Sequence, residues 1–106
     1  MSVDAARARA DAGAVMLDVR ETDEWQAGHV DGALWIPMGE IAARQDELPG
    51  DRALVVICRS GARSGKVAAA LVQAGYDAVN VAGGMKAWAA AGHPFVADDG
   101  SPGTIV

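Results

Sequence analysis

Leu54-Val55-Val56-Ile57-Cys58-Arg59-Ser60-Gly61-Ala62-Arg63-Ser64-Gly65-Lys66 is the stretch on which the reading of this chain turns. Leu54 to Ile57 is a short apolar run rich in β-branched residues and preceded by charged Asp51 and Arg52, the pattern of a strand buried on both faces. From Ala62 onward the spacing becomes helical, with Val67, Ala70, Leu71 and Ala74 recurring on one face. Between them lies a tight polar loop that begins with Cys58, the only cysteine of the chain. A thiol at the carboxyl end of a buried strand, in front of a helix N-terminus, stands where open α/β sheets bind ligands.

Three features of this loop point to a reactive thiol. The free N–H groups of the following helix favour negative charge in front of it. Arg59, Arg63 and Lys66 add three cations with no acid among them. Both effects lower a thiol pKa and enrich the nucleophilic form. Gly61 and Gly65 permit sharp turning, so that successive amides can converge on one point. Arg63 has no acid near it in the sequence, which makes an external anion its expected partner. The alternative is an inert buried cysteine, and the basic, glycine-containing loop speaks against it.

The 106 residues suffice for one ordinary domain with a single core. With 51% hydrophobic and 22% charged residues, the composition is that of a globular chain, not a disordered one. No apolar run reaches membrane-spanning length and the N-terminus lacks a secretory pattern, so no membrane contact and a cytoplasmic location are expected. The net charge of −5 argues against nucleic acid as a partner. A lone cysteine cannot form an internal disulfide, which suits a reducing compartment. Any sulfur it acquires must be removed by a group from outside the chain. Two distant histidines and no second thiol imply no metal cluster, and no cofactor is expected.

In chain order the pattern predicts a helix over 2–11 capped at Ser2 or Asp4, a strand over 14–19, and a short helix over 21–27 capped by Thr22. Asp18 and Arg20 flank this helix and can fix it by ion pairing. His29 reads as a structural turn residue before the turn at Val30-Asp31-Gly32, and a second strand follows over 33–36. Trp35 and Trp88 read as core. A helix over 39–47 and the turn Pro49-Gly50-Asp51 lead into the central strand. The helix after Cys58 runs to about Ala74, followed by a strand over 76–81 and a last helix over 85–91 opened by Gly83-Gly84, a pair suited to close backbone approach. Residues 1–96 form the domain and 97–106 are expected as a mobile tail. Alternating strands and helices with short connections imply an α/β domain of three layers, a largely parallel central sheet with helices on both faces.

The loop Cys58-Arg59-Ser60-Gly61-Ala62-Arg63-Ser64 resembles the active-site loop of the rhodanese family, the single-domain sulfurtransferases. The resemblance extends to Leu17-Asp18-Val19-Arg20-Glu21, Glu24-Trp25, Gly28-His29-Val30-Asp31-Gly32-Ala33, Ile36-Pro37 and Gly83-Gly84-Met85-Lys86-Ala87-Trp88. It implies the rhodanese strand arrangement and a transfer of sulfur in two half-reactions. The Cys58 thiolate attacks the outer sulfur of a small anionic donor such as thiosulfate, and the resulting persulfide passes its sulfur to cyanide, a small thiol or a protein thiol. Arg59, Ser60, Gly61, Ala62, Arg63 and Ser64 would bind the substrate, their amides stabilising the persulfide and the arginines orienting the donor's oxygens. Two other readings compete. One is a persulfide carrier, or a sulfur-sensing or docking module with little turnover. The other is a cysteine phosphatase or arsenate reductase on a similar frame. Those enzymes place one more residue between Cys and Arg and often a His before the Cys, whereas here four residues separate Cys58 from Arg63 and Ile57 precedes the thiol.

Overall fold

Alternation along the central strand sets up the two halves of the core. In β3 (Leu54–Ile57), Leu54 and Val56 pack on one face of the sheet while Val55 and Ile57 pack on the other. Cys58 continues the alternation and joins the first group. The computed structural model describes residues 1–106. Its elements are α1 (Val3–Asp11), β1 (Val15–Asp18), α2 (Thr22–Ala27), β2 (Leu34–Trp35), then β3, α3 (Ala62–Gln73), β4 (Ala78–Asn80) and α4 (Gly84–Ala90). All pairings within the sheet are parallel, in the order β2-β1-β3-β4, and antiparallel bridges occur only outside it, at His29–Val96 and Val96–Pro102. The α/β architecture with a parallel sheet is therefore as the sequence implies.

On the first face, α3 lays Val67, Ala68 and Leu71 against Leu17, Val19, Ile36, Leu54 and Val56. Ala70 and Ala74, expected on the apolar face, are exposed instead. On the second face, α1 contributes Val3 and Ala6, and α4 contributes Met85 and Trp88. Trp88 is core, as expected, and its indole N–H donates to the Pro94 carbonyl at 2.9 Å.

Four local expectations change. The cap of α2 is Glu21, not Thr22: the Glu21 amide donates to Glu24 Oε1 at 3.1 Å, the carboxylate three residues on reaching back to the helix start. The stretch 39–47 holds two short 3-10 turns, Met38–Glu40 and Gln45–Glu47, because only Ile41 interrupts its polar and small residues and no continuous apolar face exists to dock a helix. Arg44 ties the two turns together by bonding Glu40 and Glu47. Trp35 is half-buried in a stack with Trp25 (5.3 Å, 7°), and its N–H donates to the Arg20 carbonyl. Finally, residues 97–106 do not trail. Asp98 and Thr104 amides donate to the Gln26 and Ala27 carbonyls at 3.0 and 2.8 Å, and Ile105 packs on the second core. The Gly, Ser and Asp residues of this segment, read as flexible, instead make the bends that turn it back.

Behind the thiol loop, α4 arrives very close. The Met85 and Lys86 amides donate to the Cys58 and Arg59 carbonyls at 2.8 and 3.0 Å. Gly84, at φ +58°, makes this possible: a Cβ there would lie 2.4 Å from the Cys58 carbonyl oxygen. Close approach, the use expected of the glycine pair, is what the structure contains. Gly84→Ala is expected to cost about 2 kcal/mol or more in urea unfolding, from both the left-handed backbone and the clash. A variant unfolding at the parental midpoint would disprove this contact.

Candidate active site

The sheet order places the site. The chain leaves β1 toward one edge and β3 toward the other, so their carboxyl ends flank a crevice at the topological switch point. Cys58 follows β3 there, and the segment after β1 supplies the opposite wall. A hollow of about 650 Å³ lies at the other end of the sheet, among Val15, Leu34, Trp88 and Phe95, and none of the thiol-loop residues lines it.

The Cys58 sulfur sits at the bottom of the loop, almost fully covered. Gly61 turns the loop into α3 at φ +103°, a conformation that strains any side-chain-bearing residue. That turn aims the Gly61 amide at Sγ, 3.1 Å away. The Ser64 hydroxyl, from the first turn of α3, lies 3.2 Å from the same sulfur. Burial works against the thiolate most strongly, but the Ser64 hydroxyl and the amides of Ser64, Gly61 and Ser60 outweigh it, and the thiol pKa falls below its ordinary value. A lowered folded-state pKa makes the thiolate a stabilising feature above the unfolded thiol's pKa, a contribution lost as pH falls through the folded value.

The other loop residues take different places than their sequence positions suggest. Arg63 does not wait for an external anion. Its Nη1 and Nη2 donate to Glu24 Oε1 and Oε2 at 2.7 and 2.8 Å, a bidentate pair across the crevice. This contact holds Glu24 ionised by lowering its pKa, against the effect of burial, and raises that of Arg63. Arg59 is half-buried, and its Nε donates to the Val106 carbonyl at 3.1 Å. Hydrogen bonds from Ser64, Gly61 and Ser60 thus lead in lowering the Cys58 pKa, and the attraction between the thiolate and Arg63 adds to them. Gly65 is not a turn residue but lies within α3, where a Cβ would come 3.3 Å from Asn80 Nδ2. Ser60 and Ala62 are exposed at the rim.

Two participants were not anticipated as site residues. Asn80, at the end of β4, donates from Nδ2 to the Gly61 carbonyl at 3.1 Å and accepts from the Ser64 hydroxyl at 2.6 Å. It therefore holds both groups that face the sulfur. The Ser64 proton can serve only one acceptor at a time, and a charged sulfur competes for it better than a neutral one. The available signal was a lone polar residue within the apolar run Ala78-Val79-Asn80-Val81. Glu24 was visible only as part of the resemblance. Its backbone carbonyl is held by Arg20, which is wholly buried with Asp18 (2.8 Å) and also donates to the Gly28 carbonyl. His29 is structural in its contacts, stacked on Trp25 at 3.7 Å with Nδ1 donating to the Trp25 carbonyl.

Comparison with known proteins accords with this geometry. Residues 2–91 match the family model of the rhodanese-like domain. A protein of Allochromatium vinosum named a sulfurtransferase is 46% identical over 87 residues, 81% of each chain. A Mycobacterium tuberculosis protein named "Probable adenylyltransferase/sulfurtransferase" is 43% identical over 77 residues, 70% of this chain but 20% of its own length. Among solved structures, a rhodanese-related protein of Thermoplasma volcanium superposes with a TM-score of 0.86 at 31% identity, covering 91% of this chain and 95% of its own.

The pH dependence of Cys58 alkylation reports on the cradle. The rate is expected to rise with pH and level off with a midpoint below about 8.5, the value of a free thiol. In Ser64→Ala and in Asn80→Asp the rise moves to higher pH, with a roughly tenfold slower reaction at pH 7 for the loss of one hydrogen bond to a charged group. Unmoved profiles would mean that these residues do not support the thiolate.

Proposed function

The chain belongs to the rhodanese-like family, and we propose that it is a sulfurtransferase that carries sulfane sulfur on Cys58 from a donor such as thiosulfate to a thiophilic acceptor. The observation that carries this reading is a lone, almost covered thiol whose hydroxyl and amide partners favour its anion. The Cys58 thiolate attacks the outer sulfur of the donor. A new S–S bond forms as the donor's S–S bond breaks, and sulfite departs with the electron pair. The terminal persulfide sulfur then lies in the loop formed by Arg59, Ser60, Gly61, Ala62, Arg63 and Ser64, whose amides disperse its charge. An acceptor nucleophile, whether cyanide, a small thiol or a protein thiol, attacks that sulfur and releases the Cys58 thiolate.

The loop favours a single sulfur atom over a tetrahedral oxyanion. Only four residues separate Cys58 from Arg63, and that arginine already answers a carboxylate. A cradle whose near hydrogen bonds come from Gly61 and Ser64 matches the small charge of a persulfide.

Incubation with thiosulfate in the absence of an acceptor is expected to add the mass of one sulfur atom to Cys58. The adduct should persist, since no second cysteine is present to attack it. Cyanide or a small thiol should restore the original mass. Cys58→Ser is expected to lose both the adduct and turnover while unfolding much as the parent does. Turnover without any trappable sulfurated form, or wild-type activity in the serine variant, would overturn this function. Steady-state rates with the same reagents separate a catalyst from a carrier, which would load and discharge only once per encounter.

A further inference from the structure

The bidentate pair between Glu24 and Arg63 changes what the mouth of the site can accept. Thiosulfate brings two negative charges toward a sulfur that is itself anionic when reactive, so its approach depends on cations free to meet it. Arg63 is paired with a carboxylate and spends both terminal nitrogens on Glu24, whereas Arg59 gives one nitrogen to the neutral Val106 carbonyl and keeps its charge. Glu24 is no incidental surface acid. Its side chain is 12% exposed, its Oε1 also accepts from the Glu21 amide, and its carbonyl is gripped by buried Arg20. The carboxylate is thus built into the wall of the crevice by the same residues that brace α2. An organic persulfide brings less charge, and its outer sulfur needs only the amides and hydroxyl that already face Sγ.

We propose that Glu24 is a specificity residue: by neutralising Arg63 beside Cys58 it directs the site toward singly charged or neutral sulfur donors of the organic persulfide class, and away from dianionic thiosulfate. The proposal rests on the sulfurtransferase reading for its donors. Its charge component does not, and can be measured separately. With a persulfide, the Cys58 thiolate attacks the outer sulfur, the donor's S–S bond breaks, and the donor's thiolate leaves with the pair. The donor's outer-sulfur proton stays with the transferred sulfur or is lost to solvent. Glu24 takes no part in these bond changes and acts through Arg63, so it is a positioning residue.

Two ratios test this. The first is the rate of Cys58 alkylation by anionic iodoacetate over that by neutral iodoacetamide, which reads the charge at the thiol without any sulfur chemistry. The second is kcat/KM for thiosulfate over that for cysteine hydropersulfide. Glu24→Gln keeps the shape and the acceptor for the Glu21 amide while removing the charge. It is expected to raise both ratios roughly tenfold, the scale of one unpaired charge near the site. Arg63→Ala, which strips the cation and leaves the Glu24 carboxylate unpaired, is expected to lower both ratios by a similar factor. A purely structural role would lower all four rates together and leave the ratios unchanged, which overturns the proposal. So would ratios that Arg63→Ala leaves unchanged. If the alkylation ratio rises but neither protein takes sulfur from any donor, the charge assignment stands and the sulfurtransferase reading falls.

Discussion

The buried ion pair between Asp18 and Arg20 underlies much of this molecule. Both side chains are out of water, and desolvating them is repaid only by complete hydrogen bonding. That condition is met: the carboxylate accepts the Arg20 amide and its Nε and Nη2 groups, and the guanidinium also donates to the Glu24 and Gly28 carbonyls. Removing either partner would strand a buried charge at a cost of about 3–5 kcal/mol. The pair sits where β1 ends, so it fixes the direction in which the chain leaves the sheet. Through the two carbonyls it holds the middle and the C-terminal cap of α2, and α2 carries Glu24 to the crevice. One ion pair far from the sulfur in bonding terms thus decides what faces the sulfur across the site.

The thiol cradle is built mainly from groups that carry no formal charge. An amide and a hydroxyl within 3.2 Å of Sγ lead in the stabilising, and the cations nearby answer other partners. This has a chemical consequence. Fixed dipoles that are already aimed need no reorganisation when charge moves from the thiolate to the outer persulfide sulfur. A guanidinium salt-bridged to the loop sulfur would hold the resting thiolate harder and make it a poorer nucleophile. The cradle needs support of its own, since a loop of small residues has little to hold it. That support comes from two sides: Asn80 grips Gly61 and Ser64 from β4, and the amides of Met85 and Lys86 take the Cys58 and Arg59 carbonyls from α4.

The C-terminal segment joins this assembly. It runs beside α2, bonds the Gln26 and Ala27 carbonyls, and ends with Val106 at Arg59. Phe95 and Ile105 cover part of the core beneath α1 and α4. The segment therefore touches both walls of the crevice, the helix that carries Glu24 and the loop that carries the thiol.

What the sequence alone determined is everything that depends on neighbours in the chain. The apolar run Leu54–Ile57, the turn at Gly61 and the helical spacing from Ala62 are local patterns, and with them came β3, α3, the parallel α/β class and the position of Cys58. The register, with Asp18 beside Ile57, belongs to the assembled sheet and not to any local pattern. Only the tertiary structure decided which partners the polar side chains take. Glu24 and Arg63 are 39 residues apart, Ser64 and Asn80 16, Arg59 and Val106 47. No periodicity links such pairs. They meet because two crossovers in opposite directions bring the carboxyl ends of β1 and β3 side by side. For the same reason Arg63 could be read as a cation but not as a cation already answered, since charge is written in the sequence and its neutralisation is written in the fold.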